Sequence, residues 1–295
     1  METETKIKKD VYQIITDRII AQLEKGVVPW KKNWKNEGIP ANLITLEPYR
    51  GINVMLLSSL GFSRNYFLTF KQLKTLGGTL KEGEKSSPVF FWKYADEESE
   101  AGKNTERNAK KKPLLRYFSV YNIEQCEGLP EYKIPVFTEI NPIVSCERIV
   151  EEMPDKPEIH HKGIMPFYSP GNDVVNMPPI QYFEDAEAYY ETLFHELIQS
   201  TGHPKRLNRK EVNDSGSKSS GSYSTEELIA EIGACYLKSI AGIEGKHFEN
   251  NVTYIQGWLN RLKNNKQFIV YASTRSQQAV DYILNTNLED RKEEE

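Results

Sequence analysis

Glu191-Thr-Leu-Phe-His195-Glu196-Leu-Ile-Gln199-Ser-Thr-Gly202-His203 is the stretch from which the rest of the chain is read. It follows the pattern of a metal-binding helix up to one residue. In H-E-x-x-H, two imidazoles one turn apart point the same way and bind one ion. The glutamate beside the first imidazole takes a proton from water at the metal. His195 and Glu196 fill the first two places, and Gln199 stands where the second histidine would. A neutral amide is a poor zinc ligand beside imidazole. Three readings stay open: a metal site, a metal site short of one ligand, and a coincidence of spacing.

A site of this type takes its third ligand from a glutamate on a later helix. An acid one turn further on often orients a ligand from outside. Glu227 and Glu231 have that i, i+4 spacing in Ser224-Thr-Glu-Glu227-Leu-Ile-Ala-Glu231, a segment apolar on one face up to about Ala241. Each has a plainer reading. Ser224-x-x-Glu227 is a capping box, which needs no metal, and Glu231 reads equally as part of a solvated helix face. The order of elements, strands then His-Glu helix then Glu helix, favours the metal. His203 lies about 12 Å from His195 if the helix continues, too far to replace Gln199, unless Gly202 bends the chain there. His160 and His161 read as residues of a polar loop, and His247 has no visible partner.

Outward from this stretch the elements alternate in type. The spacing of Ile7, Val11, Ile14, Ile15, Ile19 and Leu23 predicts a helix over 6–25, stopped at Gly26. Tyr49-Arg50-Gly51-Ile52-Asn53 enters a short apolar helix ending near Gly61. Thr69 with Gln72 predicts a capping box, and Gly77-Gly78 closes that helix. Val89–Tyr94 and Leu114–Asn122 read as strands flanking a polar hairpin tip. Gly128, Pro130, Pro135 and Pro142 mark an irregular connector. Beyond it come a helix near 144–152, two short strands around Ser169-Pro-Gly171, the helix carrying His195 over about 184–200, and a further helical region at 248–263. The fold class is α+β in two domains: 1–125, a connector 126–142, and 143–295.

Charge divides along the same line. Residues 1–120 hold 21 Lys/Arg and 14 Asp/Glu, a balance of +7; the remainder carries −11. A basic half joined to an acidic half suggests a polyanionic partner for the first. Trp30-Lys31-Lys32-Asn-Trp34 interleaves rings with cations, as a surface for stacked bases and phosphates does; the alternative is a loop pinned to the core by its tryptophans. The three cysteines, Cys126, Cys146 and Cys235, are odd in number and far apart, the pattern of reduced thiols in a cytoplasm. The first residues lack the apolar run of a secretion signal, and no stretch approaches the length of a membrane span.

Taken together, these motifs resemble the ArdC-like antirestriction proteins of plasmids and mobile elements. The resemblance rests on Pro29-Trp30, Tyr49–Asn53, Thr69-Phe-Lys-Gln72, Gly77-Gly78, Gly83-Glu-Lys85 and Val89-Phe-Phe-Trp92 in the first half. In the second half it rests on Tyr168-Ser-Pro, Asp173, Met177-Pro178, Tyr189-Tyr190, His195-Glu196, Thr201-Gly202-His203, Arg206-Leu207 and Glu226–Glu231. It implies a single-stranded-DNA-binding domain followed by a zincin-like metallopeptidase domain in a cytoplasmic protein. The site residues it implies are His195 as a zinc ligand, Glu196 as general base, Glu227 as third ligand, and Glu231 outside the ligand set or as the alternative ligand. With the charge pattern it makes Trp30, Lys31, Lys32, Trp34, Arg50, Lys85 and Trp92 the DNA-contact set. Gln199 departs from the family pattern. An active zinc peptidase cleaving a protein partner is the alternative function, and a scaffold binding neither DNA nor metal the third.

Overall fold

The computed structural model describes residues 10–30, 38–93, 114–131, 141–209, 225–243 and 252–286. Helix α1 (Val11–Leu23) begins at Asp10, whose carboxylate accepts from the Tyr12 amide at 3.0 Å. Four strands form the first sheet: β1 (Ala41–Asn42), β2 (Tyr66–Thr69), β4 (Ser87–Lys93) and β5 (Leu114–Asn122), in the order β1-β2-β5-β4. Helix α2 (Ile52–Ser58) lies beside the β4 edge. There the Asn53 amide bonds both the N–H and the C=O of Phe90, each at 2.7 Å, blunting an edge that would otherwise invite another strand. Helix α3 (Phe70–Thr75) has the Thr69/Gln72 capping box that the sequence predicts. The short strands β3 (Thr79–Leu80) and β6 (Cys126–Glu127) pair beside it.

The second half opens with α4 (Pro142–Glu151), capped by Asn141. A three-stranded sheet follows: β7 (Glu158–His161), β8 (Phe167–Ser169) and β9 (Val174–Met177), in the order β7-β9-β8. Strand β7 corrects the loop reading of His160 and His161. It pairs parallel with β9, and His161 stacks on Tyr189 with its Nε2 2.8 Å from the Tyr189 hydroxyl. Among the described residues four helices follow: α5 (Ala186–Ser200), α6 (Thr225–Ala241), α7 (Val252–Asn264) and α8 (Phe268–Ile283).

One hydrophobic cluster runs through both halves, from Ile15, Leu23, Trp30 and Met55 to Phe194, Leu237, Trp258 and Val280. The Tyr49–Asn53 motif is the joint. Gly51 has φ +55°, a conformation glycine adopts without strain. Its carbonyl accepts from the Tyr236 hydroxyl at 2.7 Å and its N–H donates to Gln277 at 2.9 Å. Arg50 pairs with Asp281 of α8. Cys126, Cys146 and Cys235 are buried thiols that form no disulfide. Among the described residues no helix is long and apolar enough to cross a membrane.

Candidate metal centre

Helices α5 and α6 pack face to face, and Gly233 lets them approach. A Cβ built there would stand 2.7 Å from Ile198 Cδ1. Two buried arginines fix the pair. Arg209 forks onto both oxygens of Glu226, each at 2.9 Å, and donates to Thr201 Oγ1 and the Ile198 carbonyl, so the end of α5 is tied to the start of α6. Arg206 pairs with Asp173 and donates to Tyr168, tying α5 to the β8–β9 turn. Burial raises the Asp173 carboxyl, but hydrogen bonds from Arg206 and Tyr168 outweigh it and leave the group below the usual carboxylate range. His203 faces this cluster, its Nδ1 3.8 Å from Asp173. Its contacts are with this cluster and not with the His195 cavity.

The result of this packing is a cavity of about 320 Å3 lined by His195, Glu196, Glu227, Glu231, Trp30 and Cys235, among others. His195 Nε2 and Glu227 Oε1 meet across it at 3.6 Å. Burial lowers the His195 imidazole, but the hydrogen bond and charge of Glu227, helped by Glu196 and Glu231, reverse the effect and raise it. Glu196 is only 6% exposed, and its Oε2 is buried without a hydrogen-bond partner. Burial raises its carboxyl, against the opposing pull of His195. A buried carboxylate raised in this way is suited to taking up a proton. Gln199 turns its amide Nε2 to 3.1 Å from His195 Nε2, the nitrogen a metal would need. Among the described residues no three His, Cys, Asp or Glu side chains cluster tightly enough to hold an ion. The residues therefore fit a metal in part: an imidazole and a carboxylate are poised, an orphaned carboxylate oxygen adjoins them, and the remaining position offers an amide.

Glu231 is not a solvated helix residue. Its Oε2 accepts from the Trp30 indole N–H at 3.0 Å and from the Tyr254 hydroxyl. Trp30 is 1% exposed, with its ring edge-on to Trp258 at 5.8 Å. A ring so buried offers no face to a base, so Trp30 is a wall of this cavity and not a stacking platform. Nothing in the sequence marked Tyr254, because its partner lies on another helix. Among the other expected DNA contacts, Arg50 is committed to Asp281, Lys85 is exposed, and Trp92 is 41% exposed on β4 with its ring 6.4 Å from Tyr12. Lys31, Lys32 and Trp34 lie outside the described residues, as do Ser224 of the proposed capping box and His247.

Known proteins match the chain over most of its length. The N-terminal domain of anti-restriction factor ArdC matches residues 9–121, and the zincin-like metallopeptidase family matches 146–275. The crystal structure of metal-free antirestriction ArdC protein from plasmid R388 superposes with a TM-score of 0.75 at 36% identity, over 93% of this chain and 97% of that one. The chain belongs to the ArdC antirestriction family. The Mn(II)-bound structure of the R388 ArdC protein matches with a TM-score of 0.71 at 35% identity, over 95% of this chain and all of that one. DNA primase TraC of Escherichia coli is 29% identical over 299 residues; the match takes in 95% of this chain but 27% of TraC. The two family regions correspond to the basic and acidic halves of the sequence.

Proposed function

We propose that this protein is an antirestriction factor whose first half, residues 1–125, binds single-stranded DNA. In this reading its second half holds a divalent metal in a zincin-like site weakened at Gln199. The observation that carries the reading is the match to R388 ArdC over 97% of that protein's length. The His195–Glu227 pair at 3.6 Å supports a metal between them, and the manganese in the R388 protein makes a divalent ion of that size the first to test. Such an ion would supply Lewis acidity beside the Glu196 carboxylate. This chain's own residues do the rest: Glu196 holds a proton acceptor at Oε2, Arg209 and Glu226 keep α6 against α5, and Trp30 and Tyr254 hold Glu231 in place. Zinc is the alternative ion, and peptidase action on a protein partner requires that the weakened site still load. The test is titration of the whole protein with a labelled oligothymidylate at several salt concentrations. Affinity falls steeply with salt if phosphates are contacted; no binding at low salt refutes the DNA half of the reading.

A further inference from the structure

The β4–β5 pair carries a face whose outer end is exposed among the described residues. Its register sets Val89 opposite Phe118, Phe91 opposite Arg116, and Lys93 opposite Leu114. Residues directly opposite share a face, as do alternate residues along a strand. At the inner end this face is core, where Val89 and Val120 pack with Leu57 and Phe67. From Phe91 outward it is solvent-facing: Phe91 is 41% exposed, Phe118 is 40% exposed, and Arg116 and Lys93 are exposed. The two rings adjoin, with centroids 5.7 Å apart and planes tilted by 53°. The opposite face differs. It presents Pro88, Phe90, Trp92, Leu115, Tyr117 and Ser119, with no charge among them. There Phe90 and Leu115 enter the main core, and Trp92 leans toward Tyr12 of α1.

We propose that Phe91 and Phe118 form the platform on which bases of single-stranded DNA stack, with Arg116 and Lys93 meeting the flanking phosphates. This assignment rests on the DNA-binding reading above and moves its centre from Trp30 to the β4–β5 face. The chemistry favours an unpaired strand. Single-stranded bases have exposed π-faces that duplex pairing hides, and stacking on aromatic rings is indifferent to sequence. The cations on the same face, in a half that carries +7 over residues 1–120, complement the phosphates. Double-stranded DNA offers charge but no free base to stack, so the face should prefer single strands.

The experiment compares whole-protein variants for binding of a fluorescent oligothymidylate, with thermal unfolding alongside. Phe91→Ala/Phe118→Ala should lose about 5- to 150-fold in affinity for each base unstacked. Phe91→Leu/Phe118→Leu keeps apolar bulk without a π-face and should lose affinity while melting like the parent. Arg116→Gln should lower the slope of log affinity against log salt by about 0.7. Tyr117→Ala, on the opposite face, should bind like the parent. If the parent binds and the leucine variant binds equally well, the platform is wrong while the DNA reading stands. If the parent fails to bind at low salt, both fall.

Discussion

Gly233→Ala tests whether α5 and α6 are as close as the cavity between His195 and Glu227 requires. Placing a methyl group at Gly233 sets its carbon 2.7, 2.9 and 3.0 Å from Ile198 Cδ1, Cγ1 and Cγ2. Rotation about the outer bond moves only Cδ1. The other two atoms follow χ1, which a β-branched residue in a helix holds in one strongly preferred well. Ile198 is completely buried, so the helices must part by a few tenths of an ångström. Overpacking of this kind costs about 1–3 kcal/mol, and with χ1 fixed the upper half of that range applies. Alanine recovers about 1 kcal/mol of helix propensity over glycine. The net effect is a loss of about 1–2 kcal/mol, read as a lower urea midpoint at unchanged slope and a melting temperature lower by about 2–4 °C per kcal/mol. An alanine variant as stable as the parent, or more stable, would show that propensity decides and that the close approach is absent. The 3.6 Å His195–Glu227 separation would then lose its structural basis.

Trp30→Ala should destabilise the whole protein by about 3–5 kcal/mol, as truncation of a buried tryptophan does, visible in urea unfolding; a stable variant with weakened DNA binding would restore the stacking role. Asp173→Asn should flatten the acid limb of stability. The parent's Asp173 lies below its ordinary value of 3.8, so its contribution is present above about pH 4 and is lost as pH falls through the lowered value. Parallel acid limbs for the two proteins would show that the Arg206 pair does not set that pKa. Glu196→Ala should leave oligothymidylate affinity unchanged, since the cavity and the β4–β5 face are built from different elements; an equal loss in this variant and in the Phe91/Phe118 variants would join the two sites.

Much of the site was legible because its signals are local. The i, i+4 spacing of Glu227 and Glu231, the His195-Glu196 pair and the Thr69/Gln72 capping box each lie within one or two turns of a single helix, where sequence spacing is geometry. What escaped was long-range. Trp30 leaves two readings open, a stacking ring among lysines or a loop pinned to the core; the second holds, but its partner Glu231, 201 residues away, cannot be read from the local pattern. Tyr49–Asn53 reads as a helix entry, and its Gly51 carries bonds from α6 and α8 that no local pattern announces. His160 and His161 lie in a strand of four residues, too short for alternation to separate it from a loop. Division at residue 125 follows charge and composition, whereas the hydrophobic core crosses it.

Metal titration of Gln199→His against the parent, by calorimetry with Mn2+ and with Zn2+ after exhaustive dialysis, tests most directly whether Gln199 is what weakens the cavity as a metal site. The new imidazole would project from the same face of α5 as His195 and complete a His, His, Glu set with Glu227. The variant should bind metal more tightly than the parent, and metal at 100 times its Kd should raise its stability by about 2.7 kcal/mol. Glu227→Ala in that background should abolish the gain, and Glu231→Ala should reduce it less. A parent protein that retains stoichiometric metal through dialysis, or a histidine variant that gains no affinity, would contradict the claim that this cavity is a zincin site lacking one ligand.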